Sequence, residues 1–579
     1  MTAVVAPEIL LDIRTQLEEA AAEMDATLRQ GASVGAIARH GSSAAGFFAP
    51  DGSLLVSGRE SHPLLSEAAA EALAALASRA ASGDLELGAG AVYATNDPRV
   101  GAAGIEDLVI AAPVLHRGGL ACLVAVSASH PGLGRATAAP VDALRREGLV
   151  LPWMRLGEGG RVQAAVLELL AANAEGSGDF LEDLHVQLHT VRIGVEVVGR
   201  LLGQYGLESL QAVRDALRAS GLEALGAILS RIEAPALEGG LAPYAVRVEP
   251  VEGGVQVWLT QGGEAPERPP GAHLVRAAVR AAFREMLAAE TPGLRILGGW
   301  TDAIHTRTAW TPGEAGNAMG AIGPDRFLGA QRVTEAVLAA FAELTPHLIR
   351  CPDAGPLLVD VRGERGDGTR YRLRLELGGG LGASVFGDGL THAASGFHPL
   401  SLPSVEVLER TAPLRVHRFE LRTDSAGAGQ YRGGLGAVLE LSLLEGRALV
   451  DALLPGGPMG LRGGRRGAGG RLVHMTPDAG AREAIGPGQV SLSLRPGERL
   501  MLESPGGGGW GLGYQRSIMR VEEDLARGVV TAGESKNRYG VVLKPGTLEK
   551  DAHLTYRVRH FLLSTLAAED IIAGEELLD

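Results

Sequence analysis

Cysteine is all but missing from this chain. Cys122 and Cys351 are the only two in 579 residues, too few and too isolated for a disulfide framework or a metal knuckle. Cys122 sits inside an apolar run and reads as a small buried hydrophobe, and a reducing, cytoplasmic setting is expected. No uninterrupted apolar run reaches the ~18 residues that a membrane-spanning helix needs. The opening residues, MTAVVAPEILLDIRTQLEEAAAEM, have no basic stretch ahead of their apolar positions, so no signal peptide is expected. Positive charge is in deficit, with 54 Lys and Arg against 68 Asp and Glu, a net charge of −14. That balance excludes non-specific binding to nucleic acid or to an anionic membrane surface. Aromatic residues make up only 4% of the chain.

Glycine is what the chain has in excess. Its 82 glycines are about twice the usual share. They gather in loops without a fixed period, which excludes collagen-like and low-complexity readings. Many glycines and few aromatics imply tight turns and close backbone approaches in a sheet-rich fold. Hydrophobic residues at 46% supply a large core, and the length exceeds what one compact core holds. The expected fold class is α+β: a multi-lobed mixed α/β subunit of antiparallel β-hairpins and packed helices, with a β-rich C-terminal half. Four segments are expected: an N-terminal α/β lobe (1–206), a middle helical and β lobe (207–350), a β-rich lobe (351–550) and a C-terminal tail (551–579).

Periodicity places the elements. Ile9, Leu10, Ile13, Leu17, Ala20, Met24 and Leu28 predict a helix from Pro7 to Gln30. Leu181, Leu184, Leu188, Val191, Val195 and Val198 predict another from Phe180 to Tyr205, ended by Gly206. His185 and His189 share one face of it, a spacing able to chelate a metal. Without an HExxH glutamate they read as a polar face. His40 and His62 read as solvated loop histidines. The G-x-S-x-G at Gly31–Gly35 follows a helix, whereas a nucleophile elbow joins a strand to the next helix, so Ser33 reads as a loop residue. Pro505 to Gly511 is Gly-rich but lacks the Lys-Ser/Thr of a phosphate-binding P-loop. Arg538 to Leu543 reads as a closing strand. In the tail, Phe561, Leu562, Leu566 and Ile571 suit docking on a partner subunit.

The functional argument centres on Asn96 to Arg135. Apolar runs at Leu108–Leu115 and Leu120–Ala128 flank a turn at Gly118-Gly119, a β-hairpin buried on at least one face. The loops before and after it emerge at one end, bringing Asp107 and His130 together. An acid and an imidazole so placed can form a small metal or acid/base site.

These residues also carry a resemblance. Asn96, Asp97, Pro98, Gly101, Asp107, His130 and Gly134 match the hydantoinase B/oxoprolinase pattern NDPYxGGTHLPD, two strands, then AHHADIGG. Asp424 to Gly436 (DSAGAGQYRGGLG) resembles the DSGGAGxYRGGxG of the same family, and Glu147 to Pro152 its EGlxxPP segment. Arg432 is expected to pair with a carboxylate such as Glu406, gluing strands together. That family includes large subunits of ATP-dependent hydantoinases, lactamases and acetone- or acetophenone-type carboxylases. The departures fall on its metal-binding loops: Gly104 and Ser129 replace histidines, Gly132 an aspartate, Arg135 a glycine, and Ala91 a further acid.

The resemblance with these departures implies a framework kept and metal chemistry lost, with Asp107 and His130 as remnants of a site. No cofactor or metal is expected in this chain; ATP and a divalent metal are expected in partner subunits. The implied function is a structural subunit of a hetero-oligomeric ATP-dependent carboxylase. Its expected partners are a hydantoinase A-like ATP-hydrolysing subunit and a catalytic paralogue. The alternative is the catalytic subunit of an ATP-dependent hydantoinase or lactamase.

Overall fold

A computed structural model describes residues 5–33, 37, 41–130, 133, 148–158, 161–174, 177–262, 270–295, 297–309, 326–393, 397, 404–477 and 482–575, with backbone alone for 177, 295, 482–483 and 565–575. The chain divides into two compact units, 1–344 with 396–399, and 345–395 with 400–579.

In the first unit, α1 (Pro7–Gly31) leads into β1 (Ser43–Phe48), β2 (Leu54–Ser57), α2 (Pro63–Ala81) and β3 (Ala91–Thr95). The hairpin β4 (Asp107–His116) and β5 (Gly119–Ser129) follows, then β6 (Met154–Glu158), β7 (Arg161–Val162), α3 (Ala164–Asn173) and α4 (Ser177–Leu229). These strands form one antiparallel sheet in the order β2-β1-β5-β4-β3-β6-β7. Alternate residues of the hairpin feed two cores. Leu108, Ile110, Ala112, Val124 and Val126 pack with Ile13, Leu17 and Met24 of α1 and with Leu184, Val191 and Val198 of α4. Val109, Ala111, Leu123 and Ala125 pack with Ala69, Leu73 and Leu76 of α2. Period-two alternation thus buries the hairpin on both faces. Its turn lies one residue earlier than expected. His116 pairs with Gly119, leaving Arg117 (φ 50°) and Gly118 (φ 81°) as a two-residue turn with both φ positive.

The rest of this unit holds β8 (Leu237–Leu241), β9 (Tyr244–Val251), β10 (Gly254–Gln261), α5 (Ala272–Glu290), β11 (Ile304–Thr308) and α6 (Arg326–Ala340). The second sheet runs β11-β10-β9-β8, with β10 and β11 parallel. As expected, the helical conformation ends at Gly206 (φ 77°, ψ 170°), and α4 resumes beyond it as a second helical segment. Leu201 before the break and Leu210, Val213 and Leu217 after it enter the same core. The helical segments on either side of position 206 thus share one core although the chain leaves the helical conformation between them.

The second unit contains β12 (Leu357–Glu364), β13 (Arg370–Leu377), α7 (Val405–Thr411), β14 (Leu414–Leu421), β15 (Ala437–Leu443), β16 (Arg447–Leu454) and β17 (Arg471–Met475). It continues through β18 (Arg482–Ile485), β19 (Gly488–Leu494), β20 (Arg499–Glu503), α8 (Ile518–Ala526), α9 (Ala532–Tyr539) and α10 (Ala552–Glu575). Two antiparallel sheets, β13-β12-β16-β19 and β14-β15-β20-β17-β18, share one core containing Val359, Leu375 and Val450 from the first and Leu439, Leu441 and Leu502 from the second. The expected strand at 538–543 is not formed. Arg538 and Tyr539 close α9, and Gly540 caps it at φ 65°. Among the described residues no helix is long and apolar enough to cross a membrane.

Candidate functional site at the end of the β4–β5 hairpin

The loop entering the hairpin is braced by its own side chains. Asn96 is buried. Its Nδ2 donates to the carbonyls of Ile105 (2.7 Å) and Leu149 (2.8 Å), and its Oδ1 accepts from the Leu151 amide (2.7 Å). Asp97 accepts from the Arg99 amide at 2.9 Å and from the Arg99 guanidinium. Gly101, at φ 112°, lies against α2, where a methyl group would sit 2.4 Å from the Ala72 nitrogen. Asn96 thus ties backbone to backbone, and Asp97 folds the loop onto Arg99.

Asp107 and His130 do emerge at the same end of the hairpin, but each has another partner. Asp107 pairs with Ser129 as the last rung of the ladder, so it is a strand residue rather than a loop residue. Its carboxylate accepts from Arg326 Nε and Nη2, both at 2.7 Å, and from the Ser129 hydroxyl. Asp107 and Arg326 are almost fully buried, and Glu106 lies 3.7 Å from the same guanidinium. The paired fork geometry is the strong form of an arginine–carboxylate contact.

His130 turns toward α4. Its Nε2 lies 2.8 Å from Gln187 Oε1, while Gln187 Nε2 donates to the Leu108 carbonyl at 3.2 Å. That orientation makes Gln187 Oε1 an acceptor, so His130 carries its proton on Nε2. Its Nδ1 lone pair is buried and has no hydrogen-bond partner among the described residues. Phe180 meets the ring edge-on at 5.1 Å. Burial holds the imidazole below its ordinary pKa, against the raising effects of Gln187, Asp183 and Asp107.

His62, expected in solvent, is buried. It caps α2: Nε2 donates to the Phe397 carbonyl at 2.8 Å, and Nδ1 accepts from the Leu65 amide at 3.4 Å. Burial pushes its pKa down to about 4 although Asp107 pulls it up. Ser33 donates its amide to Asp183 and its hydroxyl to Glu182, a helix-linking role. His185 and His189 lie on the exposed face of α4, where His189 Nδ1 sits 3.1 Å from Arg192. His40, Gly132, Gly134, Arg135 and Glu147 lie outside the described residues.

A divalent cation needs several acids or imidazoles converging on one point. Among the described residues no three His, Cys, Asp or Glu do so, and Arg326 and Ser129 already engage Asp107. Among the described residues the donor set does not fit a metal. The Gly-rich loop is equally committed: the amides of Gly506, Gly507, Gly508 and Gly509 donate to the carbonyls of Ala468, Gly434, Pro352 and Arg465. None is left to meet a phosphate there.

In the second unit Arg432 does not reach Glu406, which stays exposed on α7. Its Nε donates to Asp524 at 3.2 Å instead. Buried Arg516 joins them, 2.7 Å from Asp388 and 2.8 Å from Asp524. Sequence reasoning missed Arg516 and, in the first unit, Arg326. The only signal for Arg326 was a lone arginine just ahead of the apolar Phe327-Leu328, in a stretch that matches no motif.

Several known proteins share this architecture. The caprolactamase subunit beta of Pseudomonas jessenii is 24% identical over 515 residues, covering 82% of this chain and 86% of that protein. The structure of the ATP-dependent caprolactamase from Pseudomonas jessenii superposes with a TM-score of 0.79 at 20% identity, covering 96% of this chain and 100% of that one. A nucleotide-free acetone carboxylase gives a TM-score of 0.80 at 14% identity, covering 98% of this chain and 85% of that one. The family model for hydantoinase B/oxoprolinase matches residues 9–512. With that match over most of its length and its motif residues bracing the hairpin loops, the chain belongs to the hydantoinase B/oxoprolinase family.

Proposed function

We propose that this chain is a structural, assembling subunit of a cytoplasmic ATP-dependent complex of the acetone- or acetophenone-carboxylase type. A hydantoinase A-like partner hydrolyses ATP, and ATP and any divalent metal belong to partner subunits, among them a catalytic paralogue. The observation behind this reading is the closed pair at the hairpin end: both oxygens of the buried Asp107 carboxylate are engaged by the Arg326 fork, and one of them also by the Ser129 hydroxyl. The relative matched across 86% of its length is by name a subunit, which supports a multi-subunit setting.

A second reading, the catalytic subunit of a hydantoinase or lactamase, draws on the unpaired His130 Nδ1. A buried neutral imidazole with a bare lone pair can accept a proton. Copurification followed by turnover separates the two. The structural reading expects an ATP-hydrolysing subunit to copurify with this chain, and His130→Ala to leave turnover of the whole complex unchanged. Loss of turnover in a correctly assembled His130→Ala complex refutes it.

A further inference from the structure

The motif glycines of the second unit stack loop on loop. Gly507 donates to the Gly434 carbonyl at 3.0 Å, and Gly434 to the Leu381 carbonyl at 2.8 Å. Gly508 accepts from the Ala383 amide at 3.0 Å, and a methyl group on it would collide with the Met459 carbonyl. Two loops are therefore rooted on one glycine. The first turns tightly. The amides of Ser384 and Gly387 donate to each other's carbonyls at 3.1 and 3.2 Å, and the Ser384 hydroxyl accepts from the Phe386 amide. Val385 and Phe386 form its tip; Phe386 is 77% exposed, and Leu390 just beyond the turn is 65% exposed. The second loop carries Met459, Arg465 and Arg466, all exposed. Arg465 is pinned through its backbone, donating to Ala428 at 2.7 Å and accepting from Gly509 at 3.0 Å. Arg466 Nη2 lies 2.8 Å from the Met459 sulfur. Among the described residues no carboxylate pairs with Arg465 or Arg466.

We propose that these two loops are the docking surface for a dissimilar subunit, one that offers an apolar pocket to Phe386 and carboxylates at its rim to Arg465 and Arg466. The surface deepens the subunit reading given above and rests on it. Aromatic, methionine and arginine side chains are the ones enriched where proteins meet, and a tip fixed before contact loses little freedom on binding. Charge selects the occupant. The chain as a whole carries −14, yet here two guanidinium groups stand without a counter-charge, so an acidic partner complements them. A second copy of this chain fits less well, because a two-fold contact lays a patch against itself and would set arginine against arginine.

The test uses the full chain and the subunits that copurify with it, recombined at low and high salt while association and dissociation are followed by biolayer interferometry. Phe386→Ser is expected to weaken binding about 10-fold or more, chiefly through faster dissociation. Arg465→Glu combined with Arg466→Glu is expected to slow association and to remove much of its salt dependence. Leu11→Ser, at a 62% exposed position of the first unit, should change neither. Each variant chain alone should melt with the natural one, as surface changes do; if Phe386→Ser melts lower, Phe386→Ala takes its place. Unchanged affinity in either the Phe386 or the arginine variant overturns the proposal. So does a natural chain that self-associates and loses that association with Phe386→Ser. If no subunit copurifies with the natural chain, the subunit reading and this surface fall together. If subunits copurify and the variants bind them as before, the surface alone falls.

Discussion

Replacing Gly101 by alanine tests whether the motif of the hairpin loop is a packing device. The residue sits at φ 112°, ψ −8°, a conformation that costs a residue with a side chain about 1–3 kcal/mol. The added methyl would also lie 2.4 Å from Ala72 N and 2.6 Å from the Glu71 carbonyl carbon. Both are backbone atoms within α2, so a helix or a loop must move, an overpacking cost of about 1–3 kcal/mol. The sum is about 2–6 kcal/mol. Gly118→Ala provides the control: its φ is also positive, at 81°, but nothing lies within 4 Å of the added methyl. That change costs roughly 1–2 kcal/mol of backbone strain alone. Each kcal/mol lowers the melting temperature of a 150–250-residue domain by about 2–4 °C, and by less in a larger unit. Differential scanning calorimetry at one matched scan rate should therefore show a drop about two to three times larger for Gly101→Ala than for Gly118→Ala. Equal drops would refute the claim that close approach to α2 is what excludes a side chain at position 101.

Three further outcomes follow from the same interactions. His62 and His273 are both held down to about 4 by burial, against the ordinary imidazole value of 6.5. The unfolded chain therefore binds more protons between those values, so stability is complete above pH 6.5 and falls as pH drops toward 4. The limit is about 3 kcal/mol per histidine, and melting at pH 7 and pH 5 should show the decline; a flat profile refutes it. Asn96→Ala leaves the Leu151 amide and the Ile105 carbonyl without the amide partner they have now, at a cost of about 2–4 kcal/mol, read by thermal melting. Arg516→Met takes the guanidinium fork from Asp388 and leaves Asp524 with Arg432 alone, at a cost of about 1–3 kcal/mol. Proteolysis should then open the second unit first, and unchanged resistance would count against the pairing.

Local chemistry was legible in the chain itself. Alternating apolar residues on either side of Arg117-Gly118 specify the β4–β5 hairpin, and the stripe from Ile9 to Leu28 specifies α1, because side chains two, three or four apart share a face. The motif residues from Asn96 to Gly101 were recognisable as a pattern, but two of Asn96's three partners, Leu149 and Leu151, lie more than 50 positions along the chain. Charge balance and the lack of long apolar runs likewise limited the possible partners before any folding was considered.

Only the tertiary structure decided which group each site residue touches. Arg326 reaches Asp107 across 219 positions and the Phe397 carbonyl reaches His62 across 335, separations at which no periodicity links one residue to another. The sequence placed Asp107 beside His130; the fold gave the acid to an arginine and the imidazole to Gln187. Gly206 illustrates the same limit: it ends a helical segment as the sequence suggests, but only the fold shows the next segment entering the same core. Pairing of distant polar groups is settled by packing and desolvation, which no local pattern encodes.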